Sequence, residues 1–189
     1  MLFNTSAFFL FLGIVLLLFY ALPQAWRKLL LLIASYFFYA TWNLKFVPLL
    51  AGLTAVDFFA ALWIAGTDDA PIRKRLLIAS LAVNLAFLGF FKYTNFLLGN
   101  LGIARTFDIV LPLGISFHTF QSMSYVIDVY RREQEVIRNP VDYGLFVAFF
   151  PQLVAGPIVR AREFFADLYH WRRPNQAEQL KAVLMVYLA

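Results

Sequence analysis

LLLLIASYFFYATWNL, residues 29–44, decides the class of fold. It runs for sixteen residues without a charge, between Lys28 and Lys45. As a helix it reaches about 24 Å, short of a hydrocarbon core of about 30 Å. Lysines at both ends extend their ammonium groups outward and make up the difference. The stretch therefore reads as a membrane span, and similar runs lie on either side of it. Met1–Trp26 carries no charge and predicts a helix over about Ala7–Leu22, stopped by Pro23. It lacks the basic start of a secretory signal, and further spans follow at once. Phe46–Ile64 is a third run, broken only by Asp57, and Leu76–Phe91 a fourth, between Arg75 and Lys92. A polar loop is expected after it, through Thr106.

Ile109–Ile127 is a fifth uncharged run, more polar than the others. Tyr143–Val159 is a sixth and contains Pro151, Gly156 and Pro157. Ala161–Arg173 is short, charged and aromatic, as an interfacial helix is. Ala182–Ala189 reads as the start of a further span. The expectation is an all-α, polytopic transmembrane bundle. Residues 1–189 form a single membrane domain of about five spans and one re-entrant segment, the N-terminal part of a longer protein.

Composition agrees. Hydrophobic residues make up 62% of the 189-residue chain and charged residues 14%, against about 45–50% and about 25% in soluble domains. Trp26, Trp42 and Trp63 lie near ends of apolar runs, where interface anchors sit. The net charge of +5 arises in short loops, so it sets topology and does not point to nucleic acid. The chain has no cysteine, which excludes disulfides, thiolate zinc sites and cysteine nucleophiles. No Walker loop, dinucleotide fingerprint, two-histidine zinc pattern or nucleophile elbow is present.

Basic loops orient the spans. With the N-terminus outward, Arg27, Lys28, Arg73, Lys74, Arg75, Arg131, Arg132 and Arg138 face the cytoplasm. A full crossing by the sixth run puts Arg160, Arg162, Arg172 and Arg173 outside. A re-entrant sixth segment, broken at its prolines, keeps them inside with Lys181, and 13 of the 16 Lys/Arg are then cytoplasmic. Broken backbone at membrane depth needs protein or a polar cavity around it, so a cytoplasm-facing cavity is expected.

His118, Gln121, Tyr125, Asp128 and Arg132 recur at spacings of three and four, which is one face of a helix. That stripe reads either as a wall of a substrate tunnel or as a structural cap, with Asp128 pairing to Arg131 or Arg132. His118 is the one histidine within an apolar run; it is a candidate general base or a hydrogen-bonded structural group. His170 lies in an interfacial stretch. Asp57 is expected to pair with a basic group or with Asn84 on a neighbouring helix, although a lone membrane carboxylate can also mark proton or ion transport. On these grounds a membrane enzyme and a transporter stand level.

Three stretches carry a resemblance: LLIASYFFYA (31–40), LPLGISFHTFQ (111–121) and FFPQLVAGPI (149–158). FKY (91–93) and YVIDVYR (125–131) join them in order. Together they resemble the membrane-bound O-acyltransferase family, in the branch containing alginate O-acetyltransferase more than the branch for teichoic-acid D-alanylation. The resemblance implies a ring of helices around a tunnel in a bacterial inner membrane. A cytoplasmic donor, acetyl-CoA, meets an acceptor hydroxyl on an exported polysaccharide, and a periplasmic acetyltransferase partner takes the group onward. It also implies that the catalytic histidine lies beyond Ala189, since His118 stands where relatives carry an aromatic residue. No catalytic residue and no metal ligand are assigned within the chain. The tunnel-lining candidates are His118, Gln121, Tyr125 and Asp128. The re-entrant candidates are Pro151, Gln152, Gly156 and Pro157. Arg131, Arg160 and Arg162 are candidates for the donor phosphates, set against a purely topological role. A flippase for lipid-linked sugars and a structural subunit of an export complex are the competing functions.

Overall fold

Prolines and short polar side chains set the helix boundaries. The computed structural model describes residues 5–102, 107, 109–155 and 159–169. Among these, every regular element is helical. Helix α1 (Ser6–Ala21) starts where Thr5 Oγ1 accepts from Phe8 N–H and ends as Leu22 turns extended before Pro23. Helix α2 (Gln24–Asn43) stops at Asn43, whose side chain accepts from Lys45 N–H, and a 3-10 turn over Leu44–Phe46 follows. Helix α3 spans Val47–Gly66 with Pro48 in its first turn, where the missing N–H costs nothing.

The stretch Gln24–Gly66 and helix α4 (Ala70–Asn100), whose 18-residue windows reach mean hydropathies of 1.9 and 1.8, are long and apolar enough to cross a membrane. Helix α4 runs 31 residues, about 46 Å. The loop expected from residue 92 is therefore helical as far as Asn100. No proline interrupts it, and Thr94 and Asn100 bond back to the carbonyls of Phe90 and Phe96. Helix α5 (Ile115–Arg131) begins six residues later than the fifth apolar run. Pro112 lies in the non-helical lead-in, and Gly114 caps the helix at φ 67°, a backbone state that glycine tolerates without strain.

The sixth run is two helices, α6 (Pro140–Ala148) and α7 (Phe150–Ala155). The break falls at Phe149 (φ −57°, ψ 110°), ahead of Pro151 rather than at it. A continuous helix would drive the Pro151 ring into the Val147 carbonyl. Ending α6 at residue 148 instead places Pro151 in the first turn of α7. Helix α8 covers Ala161–Tyr169.

Helix α3 packs against α2, α4, α5 and α6, and α1 lies against α2. Phe8 and Phe11 of α1 meet Phe38 of α2 and Phe150 of α7. Gly144 lets α6 approach α2, since a Cβ there would stand 3.3 Å from Leu32. Outward faces are apolar: Leu17 is 75% exposed and Phe9 64%. The interior, by contrast, buries Asp57, Asn84, His118 and Gln121. Such inversion suits a lipid surround, where the outer surface needs no polar cover.

Candidate functional site

The break at Phe149 opens the helical hydrogen bond between the Phe146 carbonyl and the Phe150 N–H. Both groups are buried and both find partners on other helices. Gln121 Nε2 of α5 donates to the Phe146 oxygen at 2.9 Å, and Ser35 Oγ of α2 accepts from Phe150 N–H at 3.2 Å. Gln121 Nε2 also approaches Gln152 Oε1 at 3.4 Å. Gln152 opens onto a mostly apolar recess of about 330 Å³ between α1, α2, α6, α7 and α8, with Phe19, Leu31, Phe149 and Phe164 on its walls.

The polar stripe of α5 divides. His118, Gln121 and Tyr125 are buried, at 2%, 1% and 0% exposure, while Asp128 is half-buried. The His118 imidazole takes no hydrogen bond from any described residue. Tyr125 OH accepts from Ile137 N–H at 2.8 Å and so holds the loop after α5. The expected pair between Asp128 and Arg131 or Arg132 is not formed within 4.0 Å. Arg132 is the left-handed cap of α5, at φ 63°, so it leaves the helical register and pairs with Asp68 at 2.9 Å. The charges of Arg160 and Arg131 still act on Asp128, which brings those two exposed guanidiniums to one end of α5. Arg162 follows Arg160 by two residues, in the first turn of α8. It lines an open groove of about 840 Å³ between residues 133–139 and α8, with Glu133, Glu135, Arg138 and Tyr169. Gly156, Pro157, His170, Arg172, Arg173, Lys181 and Ala182–Ala189 lie outside the described residues.

Asp57 meets Asn84, as its membrane position led one to expect. Its Oδ1 accepts from Asn84 Nδ2 at 2.7 Å and from Ser80 Oγ at 2.6 Å. Two further networks were not legible in advance. Arg73, 7% exposed, donates to the carbonyls of Ile64 (2.6 Å), Thr67 (3.3 Å) and Tyr130 (2.7 Å). It thereby joins the ends of α3 and α5, where a cation complements unpaired carbonyls. Lys28 of α2 pairs with the buried Asp142 of α6 at 3.0 Å. Tyr169 of α8 donates to the same carboxylate oxygen at 2.8 Å, and the Lys28 ammonium stands 4.4 Å from its ring centroid. Partial burial pushes the Tyr169 hydroxyl up to about 12, and Asp142 adds to the effect. The signal missed in the sequence was Asp142 itself, an acid two residues inside a proline-initiated apolar helix.

Among the described residues no cluster of three His, Cys, Asp or Glu side chains forms a metal centre. No protein-family model matches the chain, and no solved structure does. Curated relatives do match. The protein named Probable alginate O-acetylase AlgI is 43% identical in Pseudomonas putida, over 86% of this chain and 36% of its own length. The Pseudomonas aeruginosa protein of the same name is 42% identical over 90% of this chain and 35% of its own. The Helicobacter pylori peptidoglycan O-acetyltransferase is 39% identical over 86% of this chain and 38% of its own. The chain thus spans about a third of the length of the curated relatives it matches. Similarity at this level over nearly all of the chain, in a helical structure with membrane-length apolar helices, fixes the family: the chain belongs to the membrane-bound O-acyltransferases, in the branch of the alginate O-acetylases.

Proposed function

We propose that the full-length protein is a membrane O-acetyltransferase that carries acetyl groups from a cytoplasmic thioester donor, acetyl-CoA, towards hydroxyls of an exported polysaccharide. The 42% identity to alginate O-acetylase over 90% of the chain carries this reading. In the reaction a base takes the acceptor hydroxyl proton, the oxygen joins the acetyl carbon, and the carbon–sulfur bond breaks to release the thiol. None of the side chains of this segment is assigned the role of that base. Its own part is to build the wall. A closed, dry passage limits hydrolysis of the thioester.

In this reading α6, the break and α7 form a re-entrant segment in a multi-pass inner-membrane protein. Asp142 near its start and Tyr169 after it share a hydrogen bond of 2.8 Å, which supports entry and return at one end. Helix α6 has nine residues, about 13 Å, less than half a bilayer core. The bonds from Gln121 and to Ser35 supply what lipid cannot. The same end carries Arg131, Arg160 and Arg162, which meet the donor phosphates, while Gln121 and Gln152 face the passage with His118, Tyr125 and Asp128. A periplasmic acetyltransferase passes the group onward.

Single cysteines at the Arg138 and Arg160 positions, in a chain with no other cysteine, label from the cytoplasmic side; opposite-side labelling ends this topology. Activity is tested by incubating membranes that hold the full-length protein with labelled acetyl-CoA and an alginate-type acceptor. Label in the glycan is the expected result. The similarity to a peptidoglycan O-acetyltransferase favours a second acceptor, so peptidoglycan is assayed in parallel. Absence of transfer to either, with periplasmic partners present, replaces this reading with a flippase.

A further inference from the structure

Asp57 Oδ2, Asn84 Oδ1, Thr119 Oγ1 and Tyr143 OH are buried and lack hydrogen-bond partners. Their residues are 0%, 1%, 0% and 0% exposed, and each comes from a different helix, α3 to α6. They converge through their neighbours. Asn84 donates to Asp57 Oδ1 at 2.7 Å, so its own carbonyl oxygen lies within an amide's width of the carboxylate. Ser122 Oγ lies close to both Asp57 and Tyr143, though outside hydrogen-bonding geometry. Thr119 stands one turn from Ser122 on the same buried face of α5.

Every unpartnered atom in this set is an oxygen. The set contains one carboxylate, and no described Lys, Arg or His pairs with it. Arg73, the buried cation among the described residues, is committed to three carbonyls at the ends of α3 and α5. An ionised carboxylate without a counter-charge is strongly unfavourable at this depth. A proton on Asp57 cancels the charge, but it is shared with a single neighbouring oxygen, and the Thr119 and Tyr143 hydroxyls, which carry hydrogens of their own, stand without an acceptor in reach. A small cation cancels the charge and engages carboxylate, amide and hydroxyl oxygens together. One carboxylate balances one charge, whereas calcium and magnesium gather more carboxylates or keep their waters.

We infer that Asp57, Asn84, Thr119, Ser122 and Tyr143 form a binding site for a dehydrated alkali cation at the junction of α3, α4, α5 and α6. The ion ties four helices through their side-chain oxygens, and the site does not depend on the acetyl-transfer reading.

The test uses the full-length protein purified in choline chloride. Thermal unfolding is followed by tryptophan fluorescence as NaCl or KCl replaces choline at constant ionic strength. A saturable rise of the midpoint is expected, roughly 2–4 °C for a protein of the full length at about a hundred times the half-saturating concentration. Thr119→Val removes one ligand oxygen at nearly constant shape and raises the half-saturating concentration by about tenfold or more. Asp57→Asn abolishes the response; where that variant does not fold, Tyr143→Phe replaces it, with the same weakening as Thr119→Val. Equal midpoints in sodium, potassium and choline overturn the site. So does a midpoint that follows falling pH while ignoring alkali ions, which assigns the charge to a proton. An unaltered ion response in Thr119→Val and Tyr143→Phe also overturns it.

Discussion

Removing the two side chains that hold the Phe149 break tests the architecture at its weakest point. Gln121→Leu leaves the Phe146 carbonyl unpaired, and Ser35→Ala leaves the Phe150 N–H unpaired. A buried group without a partner costs about 1–3 kcal/mol, while interhelical side-chain bonds in membranes average about 0.6 kcal/mol and reach about 1.7. Neither backbone group has water or another partner available, so each substitution is expected near the upper membrane value, about 1.5 kcal/mol. The double variant brings a further possibility, because the two orphaned groups are i and i+4 and a straightened helix pairs them. Straightening drives the Pro151 ring against the Val147 carbonyl, at about 3 kcal/mol, which equals the gain. With Pro151 in place the two losses therefore add, to about 3 kcal/mol within about 0.5. Adding Pro151→Ala to the double variant lets the helix heal and returns at least half of that loss. Unfolding of the full-length protein in mixed micelles, read as a denaturant midpoint, gives all four values. A double variant well below the sum while Pro151 remains, or single variants within about 0.5 kcal/mol of wild type, refutes the reasoning.

Other expected outcomes follow from the end networks. Arg73→Ala uncaps three carbonyls and lowers stability by about 2–4 kcal/mol, and Arg73→Lys recovers only part, because one ammonium does not span the fork; the same unfolding assay reads both. Lys28→Met strands Asp142 and costs about 2–4 kcal/mol, of which adding Asp142→Asn restores at least half. For Tyr169 the folded-state value, about 12, lies above the ordinary 10.0. Its contribution is complete below about pH 10 and is lost as pH rises through about 12. The midpoint gap between wild type and Tyr169→Phe therefore narrows over that window, and a gap that widens contradicts the assignment.

The course of the chain was largely legible in advance where hydropathy is local. Pro23 stops α1 as expected, and the apolar runs 29–44, 46–64 and 76–91 became the greater part of α2, α3 and α4. The period of three and four on α5 correctly placed His118, Gln121 and Tyr125 on one buried face. Where propensity is balanced, prediction stopped short: FKYTNFLLGN continued α4 because its hydroxyl and amide groups bonded backward along the helix.

What the residues determined by themselves is the class: too many apolar and too few charged side chains for water, arranged in spans, with an acid and an amide that needed each other. Tertiary structure decided which partner each buried polar atom received. Gln121 serves a carbonyl 25 residues away, Lys28 an acid 114 residues away, and Arg132 turns from its own helix to Asp68. Hydrophobic burial is indifferent to the identity of the neighbour, so a single chain reveals it. A hydrogen bond in a medium without water depends on one atom at one distance, and only the packed helices supply it.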